Sequence, residues 1–201
     1  MNNKLVAILR GITPSQASEH VEALINHGFQ YIEIPLNSPD WHRSIGESLV
    51  SYGDNAVIGA GTVLRLDQVD ALAELGVRFI VTPNTNPALI RHARQAGMLV
   101  CSGFATPSEA FSALEAGADW LKLFPAATFG TGYIRAIRAV LPSEQPLLAV
   151  GGVTPDTLQD YLAAGCNGAG LGSDLYRAGQ PVQRTIQQAQ AFMAAWRNAS
   201  S

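Results

Sequence analysis

The chain has 201 residues, a mass of 21.3 kDa and a formal net charge of −3; 47% of its residues are hydrophobic and 14% are charged. This length supports one substantial core, and this balance is typical of a globular protein and excludes a disordered one. Because no basic run is present, nothing favours nucleic acid or an anionic membrane surface as a partner.

Short apolar runs predict eight strands, in chain order near residues 4–9, 31–35, 57–61, 79–82, 99–103, 120–123, 147–150 and 168–171. Segments with helical apolar spacing lie between them, and a last helix is predicted over about 182–198. Eight strand–helix units in a short chain predict a single-domain (β/α)₈ barrel over residues 1–201. The alternative is an open doubly wound sheet, although G-x-G-x-x-G is absent after the first strand.

Two local signals mark the helix boundaries. A capping side chain precedes a proline, an order that predicts a helix start, in Thr13-Pro14, Ser38-Pro39, Asn86-Pro87, Thr106-Pro107 and Thr154-Pro155. Glycines suited to the left-handed position just past a helix precede most predicted strands, at Gly28, Gly53, Gly76, Gly97, Gly117 and Gly165. The two signals together predict a repeated order of helix, glycine and strand.

Two further features bear on the cellular compartment. Cys101 and Cys166 share no C-x-x-C spacing, and each is expected to be a small buried residue and not part of a disulfide framework. The opening stretch MNNKLVAILRGITP contains an apolar run too short for a signal peptide or a membrane span. A cytoplasmic location is therefore expected.

Polar groups and glycines collect where the predicted strands run into the following loops. Arg10 follows the first strand, Thr62 the third and Pro83 the fourth. Because barrel enzymes build their sites at this end of the strands, these residues predict a site there. The exits of the last two strands carry Gly151-Gly152 and Gly172-Ser173, whose free backbone N–H groups favour phosphate binding. A tight turn is the alternative for either pair alone.

Two charged residues interrupt apolar strands. Lys122 lies within WLKLF and shares its strand face with Trp120 and Phe124, and Glu33 lies inside YIEI. A structural Glu–Lys pair is one interpretation, although a buried ion pair stabilises little. An apolar pocket disfavours a charged amine, and the neutral amine attacks carbonyl carbons. Lys122 is therefore predicted to be an imine-forming nucleophile, with Glu33 as its acid/base partner.

Other catalytic chemistries are not favoured. The four histidines, His20, His27, His42 and His92, all fall in predicted helices or at their ends, and no His, Asp or Glu pair has convincing metal-ligand spacing. No metal site is therefore predicted. The G-x-S-x-G motif of a hydrolase nucleophile is also missing.

The motifs AILRGITP, IEIPLNSP, IGAGTVL, VTPN, LKLFPA, AVGGV and GLGSDLY resemble the pyruvate-dependent class I aldolases of 2-keto-3-deoxy-6-phospho sugar acids, from about residue 4 to the last helix. The resemblance implies that Lys122 forms the Schiff base, that Glu33 moves protons, and that no metal or cofactor is needed. It also implies substrate contacts at Arg10, Asn37, Thr62, Pro83, Phe124 and Val150, and phosphate contacts at Gly151, Gly152, Gly172 and Ser173. A homotrimer is implied as well.

One departure within the family bears on the substrate. The gluconate-specific branch has T-L-R after the glutamate and Thr before the paired glycines, whereas this chain has Pro35-Leu36-Asn37 and Val150. This pattern resembles the galactonate branch, which implies cleavage of 2-dehydro-3-deoxy-6-phosphogalactonate to pyruvate and glyceraldehyde 3-phosphate. The alternatives are the 6-phosphogluconate epimer or 4-hydroxy-2-oxoglutarate, a phosphosugar isomerase or epimerase that uses Glu33 without an imine, and a non-catalytic phosphometabolite binder.

Overall fold

A computed structural model describes residues 4–199, and along them eight strands alternate with eight helices. The strands are β1 (Lys4–Ile8), β2 (Tyr31–Pro35), β3 (Val57–Gly61), β4 (Phe79–Val81), β5 (Leu99–Phe104), β6 (Trp120–Leu123), β7 (Leu147–Val150) and β8 (Gly168–Leu171). The helices are α1 (Pro14–Asn26), α2 (Trp41–Tyr52), α3 (Leu66–Glu74), α4 (Pro87–Gln95), α5 (Pro107–Glu115), α6 (Ala126–Arg138), α7 (Pro155–Ala163) and α8 (Val182–Ala199).

The strands close into a barrel. Each pairs in parallel with the next, and β8 pairs with β1. The predicted (β/α)₈ fold is confirmed, with strand ends differing from prediction by at most one residue. The domain limits 1–201 stay a prediction, because residues 1–3 and 200–201 lie outside the described part of the chain. No helix within residues 4–199 has the length and hydrophobicity needed to span a bilayer.

Two of the predicted helix signals are wrong. Helix α2 begins at Trp41 and not after Ser38, and the Ser38 hydroxyl accepts a hydrogen bond from the Gly11 N–H at 2.9 Å. This side chain ties the β2–α2 loop to the β1–α1 loop and caps no helix. Gly53, unlike the other five glycines, keeps a right-handed φ of −60°. Helix α1 does begin at Pro14, but the Thr13 side chain makes no capping hydrogen bond.

Inside the barrel, alternate strands contribute side chains in layers, as this architecture requires. The lower layer consists of Tyr31, Phe79 and Trp120, from β2, β4 and β6, whose ring centroids are 4.8–5.5 Å apart. Side chains two residues further along the same strands also point into the barrel, because strand side chains alternate. These positions form the upper layer, which consists of Glu33, Val81 and Lys122. The fold therefore delivers both charged residues to the barrel interior.

Candidate active site

The two charged residues of the upper layer face each other across the barrel. β2 and β6 are four places apart in the closed strand order, so their inward side chains approach from opposite walls. Glu33 is 1% exposed and Lys122 is 5% exposed. Both line one small internal cavity together with Val81, Cys101 and other apolar residues. An amine and a carboxyl group thus share a small chamber whose other walls are mostly apolar.

The carboxyl group of Glu33 occupies space that a missing side chain leaves open. A Cβ atom on Gly61 of β3 would lie 1.6 Å from Glu33 Oε1 and 2.2 Å from Cδ. Only glycine at this position leaves room for the carboxyl group. Burial raises the pKa of Glu33, and the nearby charges of Lys122 and Arg10 offset part of that rise. A carboxyl group in this state can both hold and release a proton closer to neutral pH.

The amine of Lys122 lies where the small chamber opens into a larger cavity. Its Nζ is 5.0 Å from the ring centroid of Phe124, two residues further along the chain. The larger cavity, of about 560 Å³, is also lined by Ile8, Pro83 and Val150. Ile8, Lys122 and Val150 line both spaces. A carbonyl compound in the larger cavity can therefore reach the amine, with Glu33 behind it.

Glu33 and Lys122 do not form a salt bridge. Among the described residues, arginine–carboxylate ion pairs join Arg43 to Glu47, Arg65 to Asp67 and Arg94 to Asp119. Two histidines also lie within 4.0 Å of a carboxylate, His20 of Glu19 and His92 of Asp70. The interpretation of Glu33 and Lys122 as a structural pair therefore lacks its expected contact. The separation leaves space between the two groups for reacting atoms.

Three predicted substrate residues meet at the mouth of the cavity. Arg10 Nη1 donates to Asn37 Oδ1 at 2.7 Å and to Thr62 Oγ1 at 3.3 Å. Thr62 has a φ of +56°, a rare conformation for a β-branched residue and one that is concentrated at functional sites. Arg10 and Thr62 line the large cavity, whereas Asn37 reaches it only through Arg10. The guanidinium group is thereby aimed toward the β2 and β3 exits.

The predicted phosphate residues also line the large cavity. Gly151 and Gly152 have φ values of +95° and +75°, and a Cβ atom on Gly152 would lie 2.5 Å from Ala127 Cβ. Within residues 4–199 the amides of Gly152, Gly172 and Ser173 donate none of the loop hydrogen bonds. The backbone N–H groups at the β7 and β8 exits thus remain for an anionic ligand.

Three residues of the β8–α8 loop were not predicted but line the same cavity: Asp174, Tyr176 and Arg177. Their segment has no helical or strand periodicity, and an arginine outside a recognised motif carries no sequence signal of a site. Asp174 and Tyr176 fall inside the motif GLGSDLY, which carried the family resemblance without assigning either of them a role, and Arg177 follows it directly. Ile8 and Val153 complete the apolar lining and were not predicted either.

The remaining titratable residues lie away from the large cavity. His20, His42 and His92 are in helices and His27 follows α1, as predicted. Among the described residues, no three His, Cys, Asp or Glu side chains cluster as metal ligands would. Both cysteines are buried, as predicted, and burial raises the pKa of each thiol to about 12. Cys101 lines the small chamber as an inert apolar wall.

Fold and cavity together define a (β/α)₈-barrel protein with a lysine–carboxyl chamber at the carboxyl ends of its strands. Within that class, the chain belongs to the KDPG and KHG aldolase family, whose family model matches residues 1–190. It is 60% identical over 195 residues to the 2-dehydro-3-deoxy-6-phosphogalactonate aldolase of Escherichia coli (strain K12), which covers 97% of this chain and 95% of that protein.

Two further similarities agree with this membership. A probable 2-dehydro-3-deoxy-6-phosphogalactonate aldolase of Rhizobium meliloti (strain 1021) is 48% identical over 196 residues, covering 98% of this chain and 92% of that protein. A solved structure described as native KDPGal superimposes with a TM-score of 0.98 at 58% identity, covering 100% of this chain and 97% of that one. The family expected from the sequence motifs is thereby confirmed.

Proposed function

We propose that this protein is a class I aldolase that cleaves 2-dehydro-3-deoxy-6-phosphogalactonate to pyruvate and D-glyceraldehyde 3-phosphate. The observation that carries the proposal is the placement of Lys122 and Glu33, buried and unpaired with each other, around one chamber at the floor of the large cavity. The similarity to relatives named for this substrate supports the choice of sugar acid.

The proposed reaction begins at the amine. Lys122 Nζ attacks the C2 carbonyl carbon, and Glu33 donates a proton to the departing hydroxyl group so that water leaves and an iminium forms. Glu33 then accepts the proton of the C4 hydroxyl group while the C3–C4 bond breaks. The electron pair of that bond moves to the iminium nitrogen, which gives an enamine and free glyceraldehyde 3-phosphate. Protonation and hydrolysis of the enamine release pyruvate, and no metal or cofactor takes part.

The distant contacts of the substrate would supply positioning. Arg10, held by Asn37 and Thr62, is proposed to bind the carboxylate end. The exits of β7 and β8 are proposed to bind the phosphate through Gly151, Gly152, Gly172 and Ser173. Pro83, Phe124 and Val150 are proposed to enclose the carbon chain between these ends.

The imine is tested by trapping. Borohydride added with pyruvate is expected to fix a three-carbon adduct on Lys122, read by mass spectrometry of peptides. An adduct on Lys4, or none at all, would contradict the imine and would favour an isomerase or epimerase that uses Glu33 alone. A non-catalytic phosphometabolite binder would bind the sugar acid and release no pyruvate.

The choice of epimer is tested by pyruvate release from the phosphogalactonate and phosphogluconate substrates, compared as kcat/KM. We expect the galactonate substrate to be preferred, with measurable activity on the other, because the two differ only in configuration at C4. Equal values of kcat/KM for the two epimers would mean that Asn37 and Val150 do not determine the substrate preference. 4-Hydroxy-2-oxoglutarate is a third substrate for the same assay.

Assembly and location belong to the proposal too. We infer a homotrimer acting in the cytoplasm. A designed cage described as made by fusing symmetric oligomeric domains contains a chain that is 58% identical with a TM-score of 0.98, and the match covers 100% of this chain and 74% of that one. Light scattering after size exclusion tests the trimer by a mass three times the 21.3 kDa of one chain.

A further inference from the structure

We propose that Arg177 binds the phosphate group of the substrate and that the β8–α8 loop is built to hold its guanidinium at the cavity. This inference rests on the proposed function and adds to it a cationic residue at the phosphate end. The family resemblance assigned only glycines and a serine to that end, and none of them carries a charge. A local cation favours the binding of a phosphate dianion by a protein of net charge −3, whose overall field does not attract anions.

The guanidinium of Arg177 lies at the proposed phosphate contacts. Arg177 lines the large cavity together with Gly152, Gly172 and Ser173. Its Nε donates a hydrogen bond to the Ser173 carbonyl oxygen at 2.9 Å, which fixes the orientation of the planar group. The two terminal nitrogens have no hydrogen-bond acceptor among residues 4–199. A planar fork with two such nitrogens matches the geometry of phosphate oxygens.

No carboxylate neutralises this side chain. Arg43 and Arg65 bond to Glu47 and Asp67, whereas Arg177 forms no ion pair with any described residue. Asp174 lines the same cavity but is not its salt-bridge partner. Because the charge is not neutralised within the loop, it is available to an anion that enters the cavity.

The loop that carries Arg177 is held by its own hydrogen bonds. The Arg177 N–H donates to Gln180 Oε1 at 3.0 Å, and the Gln180 N–H donates back to the Arg177 carbonyl at 3.0 Å. Gln180 Nε2 donates to the Leu175 carbonyl at 3.0 Å and to Thr185 Oγ1 at 2.7 Å. Thr185 in turn bonds to buried His20 Nδ1 at 2.8 Å. These contacts anchor the loop to both α8 and α1.

Arg10, the other arginine at the cavity, is directed elsewhere. Its Nη1 bonds to Asn37 and Thr62, which lie after β2 and β3, away from the β8 exit. The two arginines therefore suit two different anionic groups. Arg10 suits the carboxylate of a sugar acid, and Arg177 suits the phosphate.

The test compares matched substrates and matched charge changes. Arg177→Gln, Arg177→Lys and the control Arg184→Gln are assayed with 2-dehydro-3-deoxy-6-phosphogalactonate and with its analogue that lacks the phosphate. Arg184 is an exposed arginine of α8 that does not line the cavity, so its substitution removes the same net charge at a site without a proposed role. Inhibition by inorganic phosphate is measured for every variant.

We expect Arg177→Gln to lower kcat/KM for the phosphorylated substrate by about 10- to 100-fold, mainly through KM, the range of a charge-assisted hydrogen bond. Inhibition by inorganic phosphate should weaken in parallel, activity on the unphosphorylated analogue should stay the same, and Arg177→Lys should recover part of the loss. Arg184→Gln should match the wild type. Equal losses on both substrates, no loss, or the same loss in Arg184→Gln would overturn the proposal.

The same variants separate this inference from the proposed function. If wild-type protein releases no pyruvate from the phosphorylated substrate, the aldolase proposal fails and the role of Arg177 fails with it. If the wild type is active and borohydride with pyruvate traps Lys122 equally in Arg177→Gln, the imine chemistry stands. Failure of the substrate comparison then counts against Arg177 alone.

Discussion

The lower and upper layers of the barrel come from the same three strands, β2, β4 and β6, at positions two residues apart. The two layers have different roles. In the lower layer, Tyr31, Phe79 and Trp120 fill the interior with touching rings. In the upper layer, Glu33 and Lys122 are buried charges beside a chamber and a cavity. Strand geometry is common to both, so the difference lies in side chains and in glycine neighbours such as Gly61.

This contrast indicates how the fold divides its work. Packed aromatic rings stabilise a barrel by removing apolar surface from water. Buried charges that do not pair lower stability, and proteins retain such groups where chemistry requires them. The lower layer should therefore govern unfolding and the upper layer should govern turnover. Substitutions in each layer can break or sharpen this division.

The largest effect is expected from Lys122→Met. Loss of the amine removes the only step that activates the carbonyl, so pyruvate release should fall by on the order of 10³-fold or more. The melting temperature should not fall, because an apolar chain replaces a buried charge. Lys4→Met is the control, since Lys4 Nζ lies 6.0 Å from the Trp120 ring centroid in the lower layer. Comparable losses in both variants would contradict the division.

Gly61→Ala is expected to come next. The added methyl would overlap the carboxyl group of Glu33, which must then move away from its position at the chamber. Turnover should fall toward that of Glu33→Gln, for which we expect a loss of about 10²- to 10⁴-fold, typical of an acid/base group. Steady-state kinetics of both single variants and of the double variant provide the measurement.

If Gly61 acts through Glu33, the double variant should be no slower than Glu33→Gln alone. Multiplicative losses would show instead that the methyl damages the site independently of the carboxyl group. Gly132→Ala in α6 is the control, because a Cβ atom there meets no heavy atom within 4 Å.

Phe79→Ala should lower stability and leave turnover nearly unchanged. Removal of a fully buried ring of the lower layer is expected to lower the free energy of unfolding by about 3–5 kcal/mol, measured by urea denaturation. The kcat per folded molecule should change less than tenfold, because Phe79 does not line either active-site space. A large fall in kcat with stability unchanged would mean that the two layers are not separable.

The smallest effect is expected from Glu33→Gln on stability. Burial raises the pKa of Glu33, so the folded state retains a proton that the unfolded state releases. The stabilising effect of the protonated form is present at acid pH and is lost as pH rises through the raised pKa. Glu33→Gln should therefore raise the melting temperature at pH 8, by about 2–4 °C for each kcal/mol gained.

This gain should shrink as the pH is lowered toward the ordinary carboxyl pKa, and differential scanning fluorimetry across pH 4–8 would follow it. A variant that is less stable than the wild type at pH 8 would mean that ionised Glu33 contributes more through its neighbours than its burial costs.

The barrel could be predicted from the sequence because each strand is a short apolar run that is recognisable without knowledge of distant residues. Glycine, apolar run and proline recur in most of the units, and the β/α alternation leaves few topologies open. One failure came from a contact between distant segments and the other from local backbone conformation. Ser38 reads as a helix cap, but its hydroxyl bonds to Gly11, which is distant in sequence. Gly53 fits the left-handed pattern, but the chain continues through a right-handed turn.

The sequence points to a site residue where a side chain violates local expectation, where it follows a strand, or where it lies in a family motif. Lys122 and Glu33 stand out because charges do not belong inside apolar strands. Arg177 does not stand out, because an arginine in a polar loop is ordinary and only the fold brings it to the cavity. The need for glycine at position 61 was hidden for the same reason, since it depends on a side chain of the neighbouring strand.

The ring-filled lower layer also has a kinetic meaning. Because the aromatic rings fill the barrel below the chamber, substrate and products of the proposed reaction enter and leave through the large cavity above Lys122. The aldehyde product would then stand between the enamine and bulk water until it diffuses out. Release should therefore be sequential, with glyceraldehyde 3-phosphate leaving first and pyruvate last, and pyruvate should act as the competitive product inhibitor.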